Sequence, residues 1–474
     1  MEIERSQSNQ QSKMDIERSQ SNQQSKMDIE RSQSNQQSKM DIERSQSNQQ
    51  SKMDIELSQP NQLSGTNALS RKPSAMEIEE PLIENRYEKV QFISWEVHTG
   101  PYEEGNGRGA YTGLYNPASD KRTDALGQCK DIDARVAFTK KALELARERS
   151  DTDATTLKVF MAPEFLYRGA GGAYLHDLLE GWVTAPAEFG LPLPYSGGWD
   201  GLFGQLRKLV ASPEYEHWIV VFGTAVSASF PTKASPQGGR LLNVADVAQV
   251  YNSALIQRGG VAAKGAACHI TRKHFKSDID FFDWYGNTQH GTNVEHLDSP
   301  AKRLIETGMN EGSALFEFDA VRNRKGTRLK FGIEICLDHR VSSQSSRFGR
   351  LRTANERVNI QLVPSAGMSL QHESVFLLPT SEAPHSYAFN CDGLNNTQPA
   401  GRGSHTQIAR SDNGLAVQPV INADGGKDCQ GSKVYKMPGE LPVGDQVVQA
   451  ESLWSNFRLV RGAGSVRVVD ACLI

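Results

Sequence analysis

Three short stretches of this chain set reactive side chains at the ends of apolar runs. In Phe160-Met161-Ala162-Pro163-Glu164-Phe165 a carboxylate directly follows a run that a proline stops. Half desolvated at a sheet rim, it could work as a base; it could equally be a helix-N-terminal glutamate held by the dipole. In His269-Ile270-Thr271-Arg272-Lys273-His274-Phe275-Lys276 one ammonium turned inward could favour a thiolate and hold an oxyanion, although such clusters are also found as solvated faces. In Lys330-Phe331-Gly332-Ile333-Glu334-Ile335-Cys336-Leu337-Asp338-His339-Arg340 a cysteine ends an apolar strand and meets a sudden polar turn. That is where a nucleophile would be presented, and a buried structural cysteine is the alternative.

Other chemistries lack their residues. The six cysteines form no CxxC pair and the eleven histidines no HExxH, so no zinc site is expected. His339 lies too near Cys336 in sequence for a cysteine–histidine dyad, whose partners are normally distant. No GxGxxG or GxxxxGK[ST] is present to cradle a nucleotide.

The runs that must carry these groups read as strands. Lys89–Trp95 is the first, then Leu157–Ala162, Trp218–Val226, Val250–Gln257, Leu329–Ile335, Val358–Pro364 and Ser386–Cys391. Later strands are expected at Ala416–Ile421 and Phe457–Val460. Ile132 to Ala146, with Ile132, Val136, Leu143 and Ala146 on one face, reads as an amphipathic helix. Strands outnumber helices and several lack a crossover helix, so a layered α/β sandwich fits better than a doubly wound sheet.

Composition divides the 474 residues unevenly. Residues 1–75 contain no Trp, Tyr, Phe, Cys or Val and hold five copies of a 13-residue repeat, four of them near-identical and beginning at Met1, Met14, Met27 and Met40. Each full copy offers only Met and Ile as apolar groups, which cannot offset the entropy of ordering the chain, so a disordered tail is expected there. Residues 86–474 read as one globular domain with long inserted loops at Gly169–Gly201 and Ser277–Gly312, whose aromatic residues suit packed lids. A net charge of −4 argues against a nucleic-acid partner. No run of 18 apolar residues suggests a membrane span, and no apolar signal core follows the first residues; a cytoplasmic location with free thiols is expected, a non-classical export route remaining open.

Taken in the order Glu, Lys, Cys, the three stretches resemble the nitrilase superfamily of carbon–nitrogen hydrolases, over roughly Tyr87 to Val460. The likeness rests on Ala162-Pro163-Glu164-Phe165, on Thr271-Arg272-Lys273-His274 and on Gly332-Ile333-Glu334-Ile335-Cys336-Leu337-Asp338-His339-Arg340. Tyr251-Asn252-Ser253-Ala254 and Val363-Pro364-Ser365-Ala366 are lesser echoes. The resemblance implies an α/β fold, a four-layer α–β–β–α sandwich. It also implies a triad of Glu164 as base, Lys273 as cation and Cys336 as nucleophile, the backbone N–H of Leu337 helping to hold an oxyanion. Lys276 is the reserve cation. The spacings between these residues are longer than usual for the family. Its second glutamate could be Glu295, Glu306 or Glu311, none with a clear motif. The implied activity is hydrolysis of a small amide-like substrate without metal or organic cofactor, and Cys336-Leu337-Asp338 is closer to the amidase and carbamoylase branches than to nitrilases. The resemblance leaves homo-oligomerisation open. A silent scaffold binding a partner, and an acyltransferase using the same thioester, are the alternatives.

Overall fold

The computed structural model describes residues 85–474 except 101, 105–107, 112, 115–117, 261–266, 276, 278, 281–293, 297–312, 342–347, 380, 381, 384, 394–405, 413–415, 422–430 and 455–461, with the backbone alone at 102–104, 108–110, 294–296, 412 and 416–421. Contacts divide the chain into two units, Met1–Glu80 and Pro81–Ile474. The expected repeat tail and the strand expected at Phe457–Val460 lie outside the described residues.

Two sheets organise the second unit. Seven strands form the smaller one, in spatial order β1 (Asn85–Tyr87), β7 (Leu315–Asn323), β8 (Arg328–Ile333), β9 (Ile360–Ser365), β10 (Tyr387–Asp392), β11 (Gln407–Asp412) and β12 (Ala416–Ile421). The larger has ten, with a central path of β6 (Cys268–Arg272), β5 (Ala248–Arg258), β4 (Trp218–Ser229), β3 (Thr156–Met161), β2 (Lys89–Glu96), β14 (Ser465–Val469) and β13 (Ser432–Lys436). β2, β3 and β4 run parallel, and β4, β5 and β6 are antiparallel neighbours. In the smaller sheet β8, β9 and β10 run parallel. The result is a mixed α/β architecture.

Alternation along the strands sorts the apolar residues into separate cores. Val90 and Phe92 of β2, Leu157, Val159 and Met161 of β3, and Ile219 and Val221 of β4 share one buried cluster with Phe331 and Ile333 of β8, Ile360 and Leu362 of β9, and Tyr387 and Phe389 of β10. Ile93 and Trp95 of β2 and Phe160 of β3 join a second cluster with α1 (Ala125–Arg149) and α2 (Gly201–Leu209). Val358 and Ala388 belong to a third, with Leu351 of the short helix α3 (Arg350–Thr353).

The strands expected from the sequence are found with ends shifted by a residue or a few. α1 is longer than the 132–146 expected, because the Asp124 side chain accepts from Gly127 N–H at 3.1 Å and caps it about two turns earlier. The stretch Gly169–Gly201 is no irregular loop: it holds strands Tyr174–Leu175, Trp182–Thr184 and Gly197–Trp199 and the helical turn Asp177–Glu180. Trp182 packs on Phe189 and Trp199, and Tyr195 donates to Asp133 of α1 at 2.8 Å. These aromatics therefore pack on one another and towards α1, which differs from the lid expected over Glu164, Lys273 and Cys336. Most of Ser277–Gly312 lies outside the described residues. Among the described residues, no helix is long and apolar enough to cross a membrane.

Candidate active site

The three expected residues are delivered by strand ends of both sheets. Glu164 follows β3 and Lys273 follows β6 in the larger sheet, whereas Cys336 follows β8 in the smaller. Glu164 and Lys273 are wholly buried and Cys336 is 5% exposed.

The turn that holds Glu164 is bound on three sides. Thr224 Oγ1 accepts the Phe165 N–H at 2.9 Å, Thr99 Oγ1 donates to the Glu164 carbonyl at 2.5 Å, and the Glu164 N–H reaches Ser365 O of β9 at 3.3 Å. Phe165 takes φ +64°, a left-handed value costly for an aromatic residue, as backbone strain often is where a side chain must be aimed. The register of β4 against β5 slips between Ala254 and Ile256, a bulge that sets Thr224 opposite Ala254. Gly223 occupies that bulge at φ +77°, and a Cβ there would sit 2.2 Å from Pro163 O.

Lys273 is fixed by its own N–H, which donates to Asn252 O at 2.8 Å. Its Nζ donates to Glu164 Oε1 at 2.9 Å, to Asp280 Oδ2 at 2.6 Å and to Ser277 Oγ at 3.3 Å. The Asn252 amide bridges the two acids, giving one hydrogen bond to Glu164 Oε1 (2.9 Å) and one to Asp280 Oδ1 (3.0 Å). Asp280, buried and seven residues after the lysine, is thus part of the site although no motif marks it. Its segment is anchored by Tyr111 and Arg168, which donate to the carbonyls of Ile279 and Asp280, with the Arg168 guanidinium 3.2 Å over the Tyr111 ring.

Cys336 begins a 3₁₀ turn, Cys336–His339, at φ +47°. The backbone of Ala366, just past β9, lies near enough to the sulfur to lower its pKa. Asp338 reaches across to the lysine segment: its carboxylate accepts the N–H groups of His274 (3.0 Å) and Phe275 (2.8 Å), and Arg350 stands 3.4 Å away. His339, the next residue, turns away from the thiol and meets Glu334 at 2.6 Å, which agrees with rejecting a dyad.

Glu164 Oε1 is thus occupied by Lys273 and Asn252. Oε2 finds no hydrogen-bond partner of normal length among the described residues, yet the Cys336 thiol lies near enough to lower the carboxyl pKa as a donor. One oxygen is held and the other is left to receive a proton.

The charges follow from burial and neighbours. Burial raises the Glu164 pKa, against the pull of Lys273. Burial works against the Lys273 cation, but Asp280 and Glu164 outweigh it and hold its pKa well above the ordinary lysine value. Burial likewise opposes the Asp280 carboxylate, and Lys273 and Ser277 outweigh it and hold that pKa low. For Cys336, burial and then the Glu164 charge push the thiol pKa well up, more than Lys273 and the Ala366 backbone bring it down. The expectation that Lys273 keeps a standing thiolate is therefore corrected. A buried sulfur beside the Glu164 carboxylate favours the thiol form.

Lys276, Glu306 and Glu311 lie outside the described residues, and of Glu295 only the backbone is described. Leu337 directly follows the thiol, and its carbonyl accepts the N–H groups of Arg340 and Val341, each at 2.9 Å, closing the turn.

No protein-family model matches the chain, and no curated protein does. Solved structures similar to it include an N-terminal amidase with a Gln-Gly peptide (14% identity over 59% of this chain and 48% of that one, TM-score 0.27). Another is the glutamine-dependent NAD+ synthetase from Acinetobacter baumannii in complex with ADP (13% identity over 70% of this chain and 42% of that one, TM-score 0.27). The chain spans about half the length of these structures or less.

Proposed function

We propose that this chain is a carbon–nitrogen hydrolase that cleaves an amide-like, non-peptide bond in a small molecule through a Cys336 thioester. The observation that carries this is the meeting of Glu164, Lys273 and Cys336, from three strand ends in two sheets, with Glu164 Oε2 unpartnered beside the thiol. Sγ attacks the carbonyl carbon as its proton passes to Glu164 Oε2, and the carbonyl oxygen gains the negative charge. Lys273 and the Leu337 N–H stabilise that oxyanion. Collapse expels the amine, which takes the proton back from Glu164, and leaves the thioester. Water then attacks it, Glu164 takes the water proton and returns it to sulfur, and the acid leaves. Asp280 keeps Lys273 cationic throughout.

The fold proposed with this activity is the four-layer α–β–β–α sandwich. In its support, one apolar cluster joins the two sheets, a second joins the larger sheet to α1 and α2, and a third joins the smaller sheet to α3. Residues 1–75 are proposed as a repeat tail outside the catalytic domain. Five unpaired cysteines among the described residues suit the reducing cytoplasm, where we place the enzyme. The reading calls for no cofactor.

Amides should be cleaved and nitriles not. A planar amide becomes an oxyanion that Lys273 can hold, whereas a nitrile yields a thioimidate nitrogen needing a proton donor at that spot. The test is ammonia release from matched amides, ureas and nitriles, run on the whole chain and on one beginning at Met76. Amide turnover at equal rates in both chains is expected. Faster nitrile turnover would remove the branch assignment, ammonia from no substrate would remove the hydrolase, and a large loss on truncation would remove the tail assignment.

A further inference from the structure

Behind the nucleophile turn lies a buried polar cluster that the proposed reaction does not use. Glu334 stands two residues before Cys336 and His339 three after, and both are fully buried. His339 Nδ1 meets Glu334 Oε2 at 2.6 Å. The tautomer can be assigned from the other side of the ring, because the Gln371 backbone N–H, which can only donate, points at His339 Nε2 at 3.1 Å. Nε2 is therefore the acceptor, and Nδ1 carries the hydrogen and donates it to Glu334. The same Glu334 oxygen accepts from Gln361 Nε2 at 2.8 Å, and Oε1 accepts the Leu351 N–H at the start of α3 at 2.8 Å. Room for this carboxylate is made by Gly349, where a Cβ would fall 2.5 Å from Oε1.

The side chains at 334 and 339 thus close a bridge over the very turn in which Cys336 adopts φ +47°. A non-glycine residue holds such a value only where its surroundings over-determine it. The bridge is local to the turn, and its remaining anchors, Gln361 on β9 and Leu351 on α3, belong to the same sheet side as the nucleophile. By contrast, the links from this turn to Lys273 pass through Asp338.

We propose that Glu334, acting through His339 Nδ1–H, is a positioning residue that braces the Cys336 turn and so aims the thiol at Glu164; the proposal rests on the hydrolase reading above. It touches no reacting atom. Its loss should lower kcat while leaving KM nearly unchanged, since misplacing reacting atoms by about an ångström costs on the order of 100-fold in rate.

The test uses the full chain and three substitutions, with kcat and KM on the best amide, the melting temperature, and the iodoacetamide labelling rate of Cys336 by peptide mapping. Asparagine at 339 sets its amide nitrogen where Nδ1 is, keeping the bond to Glu334 and losing the Gln371 contact. Glutamine reaches to Nε2 instead, keeping the Gln371 contact and losing the bond to Glu334. Glu334→Gln and His339→Gln are expected to lose about 100-fold in kcat with KM within about threefold, while His339→Asn stays within about threefold of the wild type. Cys336 labelling should slow about tenfold or more in the first two and not in His339→Asn, because the thiol swings off its proton acceptor. His339→Asn as slow as His339→Gln, a loss confined to KM, or wild-type kcat in Glu334→Gln would each overturn the brace. If Glu334→Gln fails to fold, the two His339 variants decide alone. Should the wild type turn over no substrate, the hydrolase reading fails by itself, and the order of labelling rates still judges the brace.

Discussion

At the scale of single residues, the site is a buried cation shared by two carboxylates with a thiol beside one of them. Cys336→Ala, Glu164→Gln and Lys273→Ala should each lower kcat by roughly 1,000-fold or more, and pairs of them by little beyond the worst single change, because the groups act as a unit. Asp280→Asn should lose about 10- to 100-fold, as Lys273 then faces a neutral amide; wild-type rates in that variant would leave Asp280 a bystander. Asp338 supplies a pH test. Burial pushes its carboxyl up to about 7, against the pull of Arg350. Above that pH the carboxylate accepts the His274 and Phe275 N–H groups that hold the lysine segment; below it the group is protonated and the hold weakens. Turnover should rise as pH increases through about 7, and Asp338→Asn, resembling the protonated form, should give the low rate at every pH. An acid limb unchanged in Asp338→Asn would assign it to another group.

The three candidates Glu164, Lys273 and Cys336 could be picked out of the sequence because each ends an apolar run, a local pattern. What joins them could not. Asp280 sits in Ser277-Asp278-Ile279-Asp280, with no periodicity, and reaches Lys273 only because the chain turns back after β6. Asn252 lies inside a stretch with a recognisable echo, but nothing local says that its amide bridges two acids. The raised thiol was missed for a different reason: a nearby ammonium is visible in sequence order, whereas burial is not.

At the scale of elements, strand positions were readable from apolar runs, but the division of strands between two sheets was not, since pairing is non-local. β8 neighbours β7 and β9, while β3 lies between β2 and β4, and no local signal separates these sets. The β4 bulge was equally hidden, although Gly223 within the run Trp218-Ile219-Val220-Val221-Phe222-Gly223-Thr224 marked a place where backbone could approach closely. Gly223→Ala adds a Cβ 2.2 Å from Pro163 O at φ +77°. The strained φ and the clash together should cost on the order of 2 kcal/mol or more in urea unfolding. Because Thr224 holds the Phe165 N–H, kcat should fall as well. A variant as stable and as active as the wild type would mean that the turn at Glu164 relaxes without cost.

At the scale of the whole unit, the arrangement has a consequence for cooperativity. Glu164 and Lys273 ride on the larger sheet and Cys336 on the smaller, so the site exists only while the two sheets keep their mutual register. Direct ties cross between them at the site, among them the Glu164 N–H to Ser365 O and the N–H groups of His274 and Phe275 to Asp338. Beneath these lies the shared apolar core, in which Phe92 of β2 packs on Tyr387 at 5.4 Å and on Phe389 at 5.1 Å, ring centre to ring centre, both on β10. Phe92→Ala removes that buried ring and should cost about 3–5 kcal/mol. If the sheets can part only by global unfolding, urea should abolish turnover and tryptophan fluorescence at one midpoint in the wild type. In Phe92→Ala both should move together to lower urea, with kcat in the absence of urea nearly unchanged. Turnover lost well before the fluorescence change would show that the sheets slip while each stays folded. The site would then be held by its own hydrogen bonds rather than by the core beneath it.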